Sequence, residues 1–223
     1  MIFQEYPDRE LMMLALADAI AARLAEALNR DGRASLCVPG GTTPGPIFDT
    51  LSGVAIDWSR VSVFLNDERW VAESDPRSNT GLLKSRLLRG LAAAATLVPM
   101  RADTDTPEQA IDALAAGIEP HLPITVLLLG MGTDMHTASL FPGADRLADA
   151  LSAQAPTLLA MRAEGAGEPR LTLSARVLKG AMTTHLLITG AAKRTAFERA
   201  QTLTEAEAPV RAVLANATVH WAE

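Results

Sequence analysis

The chain has 223 residues, 48% of them hydrophobic but only 4% aromatic, and a formal charge of −6 from 20 Lys and Arg against 26 Asp and Glu. That length supports one large domain or two small ones with a substantial core, and the acidic balance excludes the basic stripe of a nucleic-acid binder, leaving room for a local pocket for a small anion. The single cysteine, Cys37, rules out an intrachain disulfide and, within ASLCV, reads as core filler. No apolar run reaches the roughly 18 residues of a membrane helix. The opening MIFQEYPDRE has no basic stretch followed by an apolar one, so no secretory leader is expected and the cytoplasm is the expected location.

Residues 9–29 have a helical pattern, with Leu11, Ala15, Ala19, Leu24 and Leu28 recurring at three-to-five-residue spacing, Asp8 as the cap and Asn29, Asp31 and Gly32 as the stop. A strand follows at 33–38, then the turn PGGTTPG at 39–45 and a short helix beginning near Pro44. VSVFL (61–65) predicts the next strand, and NDERWVAESDPRSN a polar loop. Residues 80–91 predict a helix with a mixed face of Leu82, Leu83, Arg86, Leu87 and Leu91. A short strand near 96–100 and a helix over 107–121 come next. ITVLLLG (124–130) is the most apolar strand and is expected at the centre of the sheet. Further strands are expected at 156–161 and 184–190, a helix at 191–203, and a helix and a last strand in the tail. Strands alternating with helices imply an α/β fold with a mostly parallel sheet. No repeat, linker or domain boundary interrupts residues 1–223.

PGGTTPG, NDER, GMGTDMH and GAAK each follow a predicted strand. In an open parallel sheet the carboxyl ends of the strands share one edge, where ligands bind, so these loops are expected to meet. Gly40 and Gly41 allow a sharp turn and close approach of a ligand. Thr42 and Thr43 add hydroxyls, and the helix start behind them suits a phosphate, although an ordinary strand–helix turn has the same composition. In NDER, Arg69 can act as a fork-shaped anion clamp and Asp67 can orient another group; a surface charge cluster is the plainer reading. In GTDMH, Asp134 can fix the tautomer of His136, which can then serve as a general base toward water. A capping Asp beside a loop His is the alternative. No HxxxH or CxxC accompanies them to suggest a metal, and Ser139 lacks the G-x-S-x-G elbow of a nucleophile. Lys193, in the first turn of a helix, sits where the dipole disfavours cations unless an anion is near, although a solvated surface lysine is the simpler reading. Arg170 in EPRLTLS either clamps an anion or pairs with Glu168. His121, His185 and His220 carry no motif and read as structural or surface residues.

The order and spacing of PGGTTPGPIFDTL, NDERWVAESDPRSNTGLLKSRLL, LLLGMGTDMHTASLFPG, PRLTLS and ITGAAKRTAFERA closely resemble the 6-phosphogluconolactonase family, from about residue 10 to the end of the chain. The resemblance implies a three-layer α/β/α sandwich around a modified Rossmann-like sheet, a fold shared with sugar-phosphate deaminases and isomerases. It implies hydrolysis of 6-phospho-D-glucono-1,5-lactone to 6-phosphogluconate, the second step of the oxidative pentose phosphate pathway, with no metal or organic cofactor. The implied partner is the phosphorylated sugar lactone alone, with no nucleic acid or membrane, in a monomer or weak homo-oligomer. By the same resemblance His136 is the catalytic histidine, and Asp134 and Asp67 are its candidate carboxylate partners. Gly40, Gly41, Thr42 and Thr43 form the phosphate loop, and Arg69, Asn79, Arg170 and Lys193 complete substrate binding. The chain departs from the family pattern at three places. Met135 replaces the glycine of G-x-D-G-H, so either it accepts a positive φ or the loop is shaped differently; Pro39 replaces a serine; and Thr42 replaces the serine of GGST, keeping the hydroxyl. Enzymes of the glucosamine-6-phosphate deaminase type are the nearest rival, but there the His precedes a stretch resembling IAFNEPG. Here the stretch is TASLFPG, with no Glu. A non-catalytic sugar-phosphate binder on the same fold is the rival from another class.

Overall fold

A computed structural model describes residues 1–223. An exposed strand, β1 (Ile2–Glu5), precedes the longest helix, α1 (Arg9–Asp31). Asp8 caps α1 by accepting the Leu11 N–H at 2.8 Å, and Gly32 ends it with φ 72° and an N–H donated to Leu28. The buried face of α1 is Met12, Leu16, Ile20, Leu24 and Leu28. Leu11, expected on that face, is 48% exposed, because Met12 and Met13 fill the first turn's core positions instead.

After β2 (Ala34–Val38) come α2 (Gly45–Ser52), β3 (Val61–Leu65) and a three-residue strand, β4 (Asp67–Arg69). Next are α3 (Asn79–Arg86), β5 (Thr96–Leu97), α4 (Ile111–Ile118) and β6 (Val126–Gly130). The chain continues through α5 (Leu147–Leu151), β7 (Leu158–Met161), β8 (Arg170–Leu173) and α6 (Ala175–Lys179). It ends with β9 (Thr183–Thr189), α7 (Ala191–Ala200), α8 (Arg211–Leu214) and β10 (Ala217–Ala222). Two expected helices are shorter than their patterns. The one expected over 80–91 stops at Arg86, leaving Leu91 in solvent, and the one over 107–121 keeps only its middle as α-helix between two 3₁₀ turns.

Seven parallel strands form the main sheet in the order β1-β10-β9-β6-β2-β3-β5. The apolar VLLLG of β6 is the fourth of the seven, where a strand covered on both faces belongs. Helices flank the sheet in an α/β arrangement, with α1 packed across β2, β6 and β10, and α7 against β9. A contiguous core of 62 buried residues runs through both.

The second sheet was not expected. Strands β4, β8 and β7 pair antiparallel, so the DER segment read as loop is a strand and residues 158–161 leave the main sheet. Three charged residues carry no alternating pattern; the pairing comes from β8, distant in sequence. In its register Arg69 lies directly opposite Arg170.

Candidate active site

A cavity of about 230 Å³ opens at the carboxyl edge of the main sheet. Its lining includes Gly40, Gly41 and Thr43 after β2, Asn66 after β3, Asp67 and Arg69 of β4, Gly130 at the end of β6, and Gly132 and His136 beyond it. Asn79 on α3, Arg170 on β8 and Lys193 on α7 complete it. The edge of a parallel sheet has brought the expected loops to one place.

His136 sits in a loop whose backbone is folded on itself. The Gly132 N–H donates to the His136 carbonyl at 3.0 Å, and the Met135 N–H to the Gly132 carbonyl at 3.0 Å. A Cβ on Gly132 would run into the Asp134 carboxylate and the His136 ring, so only glycine lets the pair close over that point. Asp134 Oδ1 lies 2.5 Å from His136 Nδ1 and also accepts the His136 backbone N–H at 3.2 Å. The ring hydrogen bond holds the Asp134 carboxyl below the usual carboxylate range. With Nδ1 engaged, Nε2 is the nitrogen left for chemistry.

Met135 adopts φ 67°, so the position that is glycine in the family pattern keeps a left-handed backbone here. Such a conformation costs a non-glycine residue roughly 1 kcal/mol or more. Burial of the Met135 side chain, 8% exposed, and a hydrogen bond from the Val210 N–H to its carbonyl at 3.1 Å offset that cost. Ala138, two residues after His136, is also left-handed, with φ 49°.

Asp67, the other carboxylate expected near the histidine, is engaged elsewhere. It accepts the Ser139 hydroxyl at 2.5 Å and stands 3.8 Å from Arg170 Nη1. Asp134 is therefore the carboxylate bonded to His136. Glu168, an alternative partner for Arg170, pairs instead with Arg77 at 2.6 Å.

The cationic side of the cavity is under-neutralised. Arg69 and Arg170 face each other across β4 and β8, an arrangement that like charges resist. Both Nε atoms are buried without a hydrogen-bond acceptor. Burial pushes the Arg170 guanidinium down from its ordinary range, with the neighbouring Asp67 charge opposing that shift. Lys193, in the first turn of α7, is likewise pushed down by burial. A cation at a helix N-terminus is disfavoured by the dipole, so an anion bound here would offset the burial of Arg170 and Lys193 together. Across the cavity, the amides of Gly40, Gly41, Thr42 and Thr43 donate to no acceptor in the protein, and Gly41 turns the chain with φ 82°. Thr42 departs from its expected place. It borders an adjacent groove with Arg9, Thr50 and Thr189, and only Thr43 belongs to both spaces.

Asn79 holds the glycine turn to the acidic strand. Its Nδ2 donates to the Asp67 carbonyl at 3.0 Å, and a Cβ on Gly40 would collide with its amide. Behind it lies Glu68, fully buried and not singled out from the sequence. Glu68 accepts the N–H groups of Arg69, Asn79 and Thr80 at 2.7–2.8 Å and the hydroxyls of Thr80 and Ser78 at 2.6 and 3.2 Å. These bonds staple β4 to the start of α3. An acid three residues into a polar loop, followed by Ser-Asn-Thr at a helix start, was the available signal. Ser139, set aside as a nucleophile, is a fully buried donor to Asp67.

Comparison with known proteins finds relatives over nearly the whole chain. The family model described as glucosamine-6-phosphate isomerases/6-phosphogluconolactonase matches residues 7–221. The chain belongs to this family. Within it, the chain is 45% identical to a 6-phosphogluconolactonase of Rhizobium meliloti (strain 1021), with 93% of each chain covered. A 6-phosphogluconolactonase of Mesorhizobium japonicum is 43% identical over 97% of this chain and 93% of its own. The crystal structure of a 6-phosphogluconolactonase from Shewanella baltica OS155 superposes with a TM-score of 0.96 at 33% identity, covering 100% of this chain and 97% of that one. No helix of this family member is long and apolar enough to cross a membrane.

Proposed function

We propose that the chain hydrolyses 6-phospho-D-glucono-1,5-lactone to 6-phospho-D-gluconate, with His136 activating the attacking water. The observation that carries this reading is one cavity shared by an Asp134-held histidine and three poorly neutralised cations, Arg69, Arg170 and Lys193. The names of the relatives, over nearly the whole chain, supply the substrate.

Water attacks the C1 carbonyl carbon while His136 Nε2 takes its proton. The electron pair of the carbonyl moves onto its oxygen, where the cationic lining of the cavity stabilises it. As the tetrahedral carbon collapses, the bond from C1 to the ring oxygen breaks. The imidazolium returns the proton to that oxygen, leaving a carboxylic acid, which ionises, and a free hydroxyl. A δ-lactone is reactive enough that no covalent nucleophile is required. The remote phosphate is held by the open amides of Gly40 to Thr43 with Arg69 and Lys193, and Arg170 adds positive charge beside Asp67. That anchoring places C1 against the water and selects phosphorylated sugars. Asn79 and Asp67 keep the two walls in register. Residues 1–223 act as one domain, without a cofactor, in a monomer or weak homo-oligomer.

The test is a rate. The lactone is generated in situ from glucose 6-phosphate and its loss followed at mildly acidic pH, where spontaneous hydrolysis is slow, with chelator present. Wild type is expected to accelerate the loss far above background and His136→Ala to lose nearly all of that acceleration. A wild-type rate equal to background would overturn the reading and make glucosamine 6-phosphate the next substrate to assay.

A further inference from the structure

Asp134 alone does not fix the His136 ring. One hydrogen bond to Nδ1 sets a direction in the ring plane but leaves the plane free to swing about the bond. The Asp134 side chain is also 52% exposed, so water competes for that bond. The group packed against the ring is the phenyl of Phe141. Its centroid lies 4.4 Å from that of His136, with the planes tilted by 36°. The same ring meets Arg170, whose guanidinium carbon is 5.6 Å from its centroid.

Arg170 needs such a contact. Its side chain is 12% exposed, its Nε has no acceptor, and its Nη1 stands 3.8 Å from Asp67, too far for a hydrogen bond. The bond that holds it runs from Nη2 to the Ala166 carbonyl at 2.9 Å. An aromatic face attracts a guanidinium that carboxylates only partly neutralise, and it fixes the planar group's tilt as a point charge could not.

We propose that Phe141 is a positioning residue that aligns the general base and a substrate-facing cation at once. The side chain acts through His136 and Arg170, both of which line the cavity. Sequence and backbone explain how it reaches them. Ala138 turns left-handed, the Leu140 N–H closes back on the Thr137 carbonyl at 3.0 Å, and the chain then presents residue 141 beside residue 136. The contact depends on a ring face, which separates it from ordinary core filling. An aliphatic side chain of similar bulk packs the space but offers no stacking partner and no quadrupole. This inference deepens the lactonase reading, and its test has one arm that needs no substrate.

Phe141→Leu and Phe141→Tyr are compared with wild type and His136→Ala. In the kinetic arm, Phe141→Leu is expected to lower kcat about tenfold, from misalignment of the base, and to raise KM severalfold, from loosening of Arg170. Phe141→Tyr, which keeps the ring, is expected to restore both, and thermal midpoints should stay close among the three. In the second arm, proton NMR follows the carbon-bound ring protons of His136, identified by their absence from His136→Ala. Ring current from Phe141 displaces them in wild type and in Phe141→Tyr, and they should move in Phe141→Leu. His136 signals unchanged in Phe141→Leu would overturn the proposal, as would kcat and KM both retained. A kinetic loss that tracks a fall in thermal midpoint, with Tyr no better than Leu, would also overturn it by reducing Phe141 to packing. Absence of turnover in the wild type would strike the lactonase reading alone, because the NMR arm still decides the placement of His136.

Discussion

The molecule holds histidines in two contrasting settings. His136 stands in a loop at the open edge of the sheet, its side chain 30% exposed and bonded to a half-exposed carboxylate. His185 and His220 lie within β9 and β10, where His185 Nδ1 and His220 Nε2 are 2.9 Å apart and His220 Nδ1 is 2.9 Å from the Tyr6 hydroxyl. Both are buried, and burial pushes them down, His185 to about 4 and His220 to about 3. Positive charge on Arg23 of α1 adds to the shift at His185, and His185 adds to that at His220. The same side chain is thus placed once at an open cavity edge against a carboxylate, and twice where burial suppresses the charged form and hydrogen bonding remains. Accessibility and a carboxylate partner, rather than residue type, separate a candidate base from a structural pair.

The sharpest way to break this contrast is to remove each histidine and see which property fails. His136→Ala should cost about 10²–10⁴ in kcat, the usual worth of a general base, while its thermal midpoint stays near that of wild type. Loss of stability with little loss of rate would place His136 among the structural histidines. His220→Leu should do the opposite. It strands the Tyr6 hydroxyl and His185 Nδ1 in the core, costing about 2–3 kcal/mol in denaturant unfolding, with kcat unchanged for the fraction that stays folded.

Acid should act on the buried pair through linkage. Their folded pKa values lie below that of an unfolded histidine, so the unfolded chain binds protons that the folded chain refuses. Stability is therefore full above about pH 6.5 and falls as pH drops toward the folded values of about 4 and about 3. Between pH 6.5 and 5 proton uptake by each unfolded histidine should cost about 1.5 kcal/mol. Urea midpoints measured across that window in wild type and His220→Leu check this, and equal slopes in the two would refute the assignment. The smallest effect is expected at Thr42, which borders the neighbouring groove and not the cavity. Thr42→Ala should leave kcat/KM within about twofold, and Thr43→Ala, which borders the cavity, should change it more. A larger effect from Thr42 would show that its side chain turns toward the substrate.

Much of the fold was legible. Apolar periodicity located β2, β3, β6 and β9 and the long helix, because buried strands and amphipathic helices write their burial into local sequence. Asp8 and Gly32 marked the ends of α1 through capping chemistry that needs no distant partner. The face of α1 was less legible, since Leu11 and Met12 are equally apolar and only packing shows which one points inward. In the site, Gly40, Gly41, His136 and Lys193 followed from their positions after strands. Glu68 was hidden because its five donors come from Arg69 and from the start of α3, and their convergence is not visible in one dimension.

By itself the sequence determined the alternation of strands and helices, the central place of VLLLG and the family to which the motifs pointed. Each of these is carried by local periodicity or by spacing within a short segment. Tertiary structure alone decided that DER is a strand, that Arg69 faces Arg170, that Asp134 rather than Asp67 holds His136, and that Phe141 touches both the histidine and Arg170. Those contacts join segments far apart along the chain or depend on a loop's turn. They arise from the register of an antiparallel pair and from two left-handed residues, Met135 and Ala138, whose conformation their surroundings impose.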